Sequence, residues 1–252
     1  MMNRMLIGAL VAALALIGAG CDSSSTKLEA PIVAATVAGD GATLHLTWDQ
    51  ITGAESYEVK AGDSTYNTTS TSLDVTNPAA IVEVRAVKGN SKGDSAVVNC
   101  GVVETTIDVY GDLDVTHTNG FGFATNGSAD TCTIASYQKM DFYANGKSFV
   151  GEMRLVSSHL LNLNRKGNGI KAASGSYDDA KLADLPGAYS DSSLAVVADS
   201  TYYLRVSPDT SGTWSTGDNY AKAQVVSISA DSLKVTLKLG YQKRAGLRWL
   251  GN

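Results

Sequence analysis

Leu233-Lys234-Val235-Thr236-Leu237-Lys238-Leu239-Gly240-Tyr241 decides the fold class of this chain. Successive side chains of an extended strand point to opposite faces. Leu233, Val235, Leu237 and Leu239 therefore share one face, opposite Lys234, Thr236 and Lys238. Such alternation implies one buried face and one wet face, the pattern of an antiparallel sheet. Immediately upstream, Ala230-Asp231 turns the chain out of a strand over Tyr220 to Ser229, and Thr201 to Ser207 leads into it through a loop. Further back, Thr105 to Tyr110 places Ile107 and Val109 on one face. Lys139 to Ala144 and Ser148 to Val156 flank Asn145-Gly146, a strong short hairpin signal. Only Tyr177 to Leu185 reads as a short helix, with Asp178 and Asp179 near its start and Pro186 ending it. Residues 104–252 are thus expected to form a large antiparallel β-domain with at most one short helix.

Residues 27–101 break into shorter alternating segments at β-sandwich spacing. Expected strands are Pro31 to Ala38, Ala42 to Trp48, Ser56 to Ala61, Thr71 to Val75, a strand carrying Val82, Val84 and Ala86, and Asp94 to Cys100. Leu44, Leu46 and Trp48 share a face, as do Tyr57 and Val59, while His45 faces the other way. Ala30-Pro31, Leu46-Thr47-Trp48, Gly53-Ala54-Glu55-Ser56-Tyr57-Glu58-Val59 and Val84-Arg85-Ala86-Val87 carry a resemblance to the fibronectin type III module. That resemblance implies a spacer or a protein-binding surface. Val82 stands where the family places a corner tyrosine. The fold expected for the whole chain is all-β: a fibronectin type III-like sandwich followed by a second, larger β-domain.

The leader sets the compartment. Arg4 precedes an uncharged apolar run from Met5 to Ile17, then the small residues Gly18, Ala19 and Gly20. This is the layout of a secretory signal. Thirteen residues of helix rise only about 20 Å, short of a hydrocarbon core of about 30 Å. Cys21 directly after Gly20 resembles a bacterial lipobox, although Gly18 occupies the position where an aliphatic is usual. Residues 1–20 are then a lipoprotein signal peptide, and residues 21–26 a lipidated cysteine and tether. The protein is expected to be extracytoplasmic and held by lipid at the inner or outer membrane. The formal net charge is −5 and no run of Lys or Arg follows, which argues against nucleic acid as a partner. With Cys21 acylated, Cys100 and Cys132 remain as a candidate disulfide pair.

Thr201-Tyr202-Tyr203-Leu204-Arg205, Asn219 to Val225 and Gly240-Tyr241-Gln242 are similar to HmuY-type haem-binding lipoproteins. The resemblance implies haem held between two axial ligands. Those strands carry no ligand side chain, so His117, His159, Met140 and Met153 are the candidate donors by chemistry alone. Tyr189, Trp214 and Tyr220 are candidates for stacking on sugars.

Catalytic patterns are sparse. Gly89-Asn90-Ser91-Lys92-Gly93 matches G-x-S-x-G but joins two expected strands, whereas a nucleophile elbow joins a strand to a helix. Ser136 and Lys139 have S-x-x-K spacing in strand-like surroundings. Asp112 with Asp114, Asp178 with Asp179, and Asp209 with Asp218 are the carboxylate pairs that glycoside chemistry would need. The expectation is a non-catalytic binding or display module for a protein or carbohydrate ligand, with no resident metal. A haem-binding lipoprotein and a carboxylate-dependent glycan-acting enzyme are the alternatives.

Overall fold

The computed structural model describes residues 27–111, 116–146, 152–158, 168–190, 193–207, 213–231 and 233–252. Two antiparallel β-sandwiches follow one another along the chain. In the first, β1 (Val33–Ala38), β2 (Thr43–Trp48) and β5 (Ser72–Thr76) form a sheet ordered β1-β2-β5. Opposite it, β3 (Ser56–Ala61), β4 (Ser64–Thr68), β6 (Ile81–Lys88) and β7 (Ser91–Asn99) are ordered β4-β3-β6-β7. The apolar alternation explains the packing: Leu44, Leu46, Val59, Val82, Val84 and Ala86 are all fully buried between the sheets. Trp48 meets Tyr57 edge to face, their centroids 5.4 Å apart. The Ile51 N–H donates to the Tyr57 hydroxyl at 2.8 Å, which seats the polar end of that ring. Val82 simply fills core. Strand β4 was not anticipated, because Ser-Thr-Tyr-Asn-Thr has no buried face. It pairs only with β3, and its polar surface suits a sheet edge.

The second sandwich contains β8 (Val103–Tyr110), β9 (Gly120–Phe123), β10 (Ala129–Cys132), β11 (Phe142–Asn145) and β12 (Arg154–Ser157). It continues with β13 (Gly169–Ala172), β14 (Ser193–Ala195), β15 (Thr201–Val206), β16 (Asn219–Ile228) and β17 (Lys234–Tyr241). One sheet is ordered β10-β9-β11-β12-β14, the other β13-β15-β16-β17-β8. Val235, Leu237 and Leu239 point into the core as their alternation requires, against Ile107, Val109, Phe121, Phe142 and Leu155. The Gly-Phe alternation of β9 divides its labour by face. Phe121 packs inward 5.8 Å from Phe142, while Gly122 faces a 3-10 turn at Ile134–Lys139. A Cβ at Gly122 would lie 1.8 Å from the Lys139 carbonyl oxygen, so only glycine admits this approach.

Three local expectations are corrected. Asn145-Gly146 is not a two-residue hairpin turn: Asn145 pairs with Arg154, so residues 146–153 connect the strands. Tyr177 to Leu185 is not a helix but a turn, followed by a bridge between Leu182 and Trp249. Pro186 opens a 3-10 turn at Pro186–Ala188 rather than ending a helix. Tertiary pairing outweighs the modest helical preference of so short a segment.

After β17 the chain runs back across the first sandwich. The Arg248 N–H donates to the Gly41 carbonyl at 2.8 Å, and the Trp214 indole donates to the Gly246 carbonyl at 2.7 Å. Gly41 has φ +89°, and a Cβ there would stand 2.3 Å from the Trp214 indole nitrogen. Glycine is required on both counts.

Candidate functional site

The sheet β13-β15-β16-β17-β8 has a second face, turned away from its core. Residues 173–190, 213–218 and 242–252 lie across part of it and bury polar side chains that alternation alone would leave wet. Tyr203, Tyr220, Ala180, Ala183 and Leu250 form a small cluster there, with Tyr189 and Trp214 packed against it.

Arg205 and Asp218 form an ion pair at 3.0 Å whose side chains are 5% and 0% exposed. The same Arg205 nitrogen donates to Ser207 Oγ and to the Thr213 carbonyl, both at 3.2 Å. Asp218 also accepts from the Ser215 N–H and from the Tyr220 hydroxyl, each at 3.1 Å. Burial pushes the Tyr220 phenol well above its ordinary range, reinforced by the Asp218 carboxylate. A pair this dry is shielded from water, and removing either member strands a charge.

A second constellation sits one sheet row away. Tyr177 leaves its turn to lie over Gly240, and the Nζ atoms of Lys222 and Lys238 each lie 4.1 Å from its ring centroid. Lys222 Nζ donates to the Tyr177 carbonyl at 2.8 Å, and Lys238 pairs with Glu104 at 3.3 Å. Burial raises the Tyr177 phenol beyond the usual tyrosine range, with Glu104 adding to it. Burial lowers the Lys222 ammonium, opposed by Glu104 and Asp178. These cation–π contacts and the missing Cβ of Gly240 fasten the strap at 173–190 to the sheet.

Of the stacking candidates, the structure brings Tyr189, Trp214 and Tyr220 together, but as packing. Tyr220 is fully buried, Tyr189 is tilted against it at 6.5 Å, and the Trp214 indole is spent on Gly246. Cys100 and Cys132 are not joined. Cys100 is buried in the first sandwich core, and Cys132 lies with Met140, Tyr143 and Val156 on the second sandwich, so each thiol serves a different apolar cluster. His117 is half-buried and stacked on Tyr110 at 4.6 Å. Met140 is fully buried, and Met153 is 3% exposed within the main second core. Both thioethers are packed within apolar clusters.

Two of the candidate carboxylates, Asp179 and Asp218, are likewise committed. Asp179 accepts from Ser176 Oγ at 2.6 Å, which holds its carboxyl below the usual range. Asp178 is exposed, and Asp218 serves Arg205. Ser91 lies at the β6–β7 hairpin. Ser136 and Lys139 stand on an exposed 3-10 turn rather than on a strand. Cys21, His159, Asp112, Asp114 and Asp209 lie outside the described residues. Among the described residues, no three His, Cys, Asp or Glu converge as a metal site, and no helix is long and apolar enough to cross a membrane. A cleft of about 230 Å³ on the first sandwich is lined by Lys60, Gly62, Ile81 and Glu83. That is below the 300–1,000 Å³ of a typical small-molecule pocket.

No family model matches this chain, and no curated protein does either.

Tyr220, Lys222 and Gln224 share one face of β16, and nothing in the local sequence marks Tyr220 and Lys222 as buried. The signal that identifies the buried layer is Gly240, the one residue without a side chain on the polar face of β17, where Tyr177 docks.

Proposed function

We propose that this chain is an exported, lipid-anchored binding and display module with no catalytic role, for a protein or carbohydrate ligand. The observation that carries the reading is the placement of its ends. The described residues begin at Lys27-Leu28, where the Leu28 carbonyl accepts from the Asp94 N–H of β7. The opposite pole of that sandwich, at Gly41, meets the second sandwich. From Val103, β8 then runs away from the junction to Tyr110-Gly111, where Gly111 bonds to Leu233 and Gly146. The two sandwiches are stacked end to end, with Lys27 towards one extreme and the Tyr110 pole towards the other. A spacer module would lift a binding module in this way.

Other observations support it. The first sandwich has the three-plus-four strand division β1-β2-β5 and β4-β3-β6-β7, in keeping with a fibronectin type III module. The leader features from Arg4 to Cys21 support export and lipidation. The buried side chains of Arg205, Asp218 and Lys222 each serve an internal partner, which suits architecture more than chemistry.

Metabolic labelling with an alkynyl fatty acid tests the anchor. The parent chain is expected to label and to partition with membranes, and Cys21→Ser to do neither. Equal labelling of both chains would overturn the reading.

A further inference from the structure

The first sandwich does not complete its own core. Leu247, fully buried, packs in the same cluster as Leu44, Leu46, Trp48 and Cys100, and Trp249 packs against that cluster. Arg244 Nη1 donates to the Ala35 carbonyl of β1 at 2.9 Å. Its guanidinium also lies beside the Cys100 thiol, just past β7. Since β1 and β7 belong to opposite sheets, Arg244 spans the seam between them. Arg248 Nε donates to the Asp40 carbonyl at 2.7 Å and Nη2 to the Asp40 carboxylate at 2.9 Å. A third Arg248 donor reaches the Ala183 carbonyl, tying the same residue to the strap of the second sandwich. Gln242 Nε2 donates at 2.8 Å to the carbonyl of Cys100, a residue 142 positions earlier.

We infer that residues 242–252 are a structural part of the first sandwich, whose core closes only after this segment docks from beyond the second one. Without it, the site of Leu247 is a gap in a close-packed interior, and the Ala35 and Asp40 carbonyls lose their donors. The leading module therefore waits for residues made long after its own strands. On the export reading above, it stays open while the rest of the chain is threaded through the membrane. The folding order itself does not depend on that reading.

The two buried thiols make the test local. In residues 22–252, Cys132→Ala leaves Cys100 as the reporter of the first sandwich, and Cys100→Ala leaves Cys132 as the reporter of the second. Reaction with an aromatic disulfide reagent under native conditions measures opening of each. Leu247→Ala is expected to speed Cys100 labelling about thirty-fold or more, the scale of a buried leucine truncation. Cys132 labelling should change by less than about three-fold. The milder Leu247→Val should give an intermediate Cys100 rate, which keeps the test readable if Leu247→Ala fails to fold. Val109→Ala, in the second core, should do the converse. An unchanged Cys100 rate in both Leu247 variants overturns the inference. So does equal acceleration of both thiols by Leu247→Val and by Val109→Ala.

Discussion

Gly240→Ala adds one methyl group to the polar face of β17, and its cost follows from the contacts around Tyr177. The new Cβ would stand 2.5 Å from the Tyr177 hydroxyl oxygen, 3.1 Å from a Val102 methyl and 3.3 Å from Lys222 Cε. The first contact is 0.5 Å inside the 3.0 Å below which something must shift. The Tyr177 ring cannot swing aside freely, because two lysine ammonium groups lie against it at 4.1 Å. Overpacking of this kind costs about 1–3 kcal/mol. Replacing a strand glycine returns about 0.5–1 kcal/mol through the unfolded chain. The expected balance is a loss of about 1–2 kcal/mol. Tyr177→Phe removes the oxygen that clashes, and its own effect is measured as one corner of the cycle. Gly240→Ala should then be close to neutral in the Tyr177→Phe background. Urea denaturation of the four chains, followed by tryptophan fluorescence, gives the coupling energy directly. A stable Gly240→Ala in the parent, or equal effects in both backgrounds, would refute the docking of Tyr177 over Gly240.

Three further outcomes are expected. Arg205→Met should destabilise by about 3–5 kcal/mol by stranding the Asp218 charge, and Arg205→Met with Asp218→Leu should recover part of it; a single variant melting with the parent would contradict the buried pair. At alkaline pH the fold should lose stability above about pH 10. Tyr241 in the fold is pushed up to about 12, chiefly by burial, while an unfolded tyrosine ionises near 10. The unfolded chain therefore releases its proton first, and rising pH favours it between those values. Tyr143, Tyr189, Tyr203 and Tyr220 act in the same direction. Lys222, lowered by burial, opposes them, since the folded chain binds its proton less tightly than the unfolded one. Tyrosinate absorbance should rise together with loss of β-sheet circular dichroism; complete ionisation near pH 10 with the fold intact would sink this account. Finally, titration with haem should give no Soret band that depends on His117, and loss of such a band in His117→Ala would revive the haem alternative.

The fold was most legible where a strand sets an apolar face against a polar one. β2, β3, β6 and β15 to β17 read directly, because Leu, Val and Tyr alternate with polar residues over six or more positions. Short strands escaped. Gly120–Phe123 alternates glycine with phenylalanine, and Ser193–Ala195 is held by its neighbours rather than by its own pattern. The buried polar layer was illegible for another reason. Arg205 and Lys222 have the spacing of a wet face, and only cover by residues 173–190, 213–218 and 242–252 dries it. The disulfide expectation rested on a count of cysteines, which says nothing about which cluster each one enters.

The junction between the sandwiches has a mechanical consequence. Tension between Lys27 and the Tyr110 pole would reach the second sandwich through the peptide at Gly101-Val102. The Val102 N–H is itself held by the Asn252 side chain at 3.0 Å. In parallel with that link stands the clamp of Arg248 on Asp40 and Gly41. To bend at the waist, the molecule must first tear Leu247 from one core while Leu250 still sits in another. The waist is thus a strut rather than a hinge, and it fixes the angle between the two sandwiches.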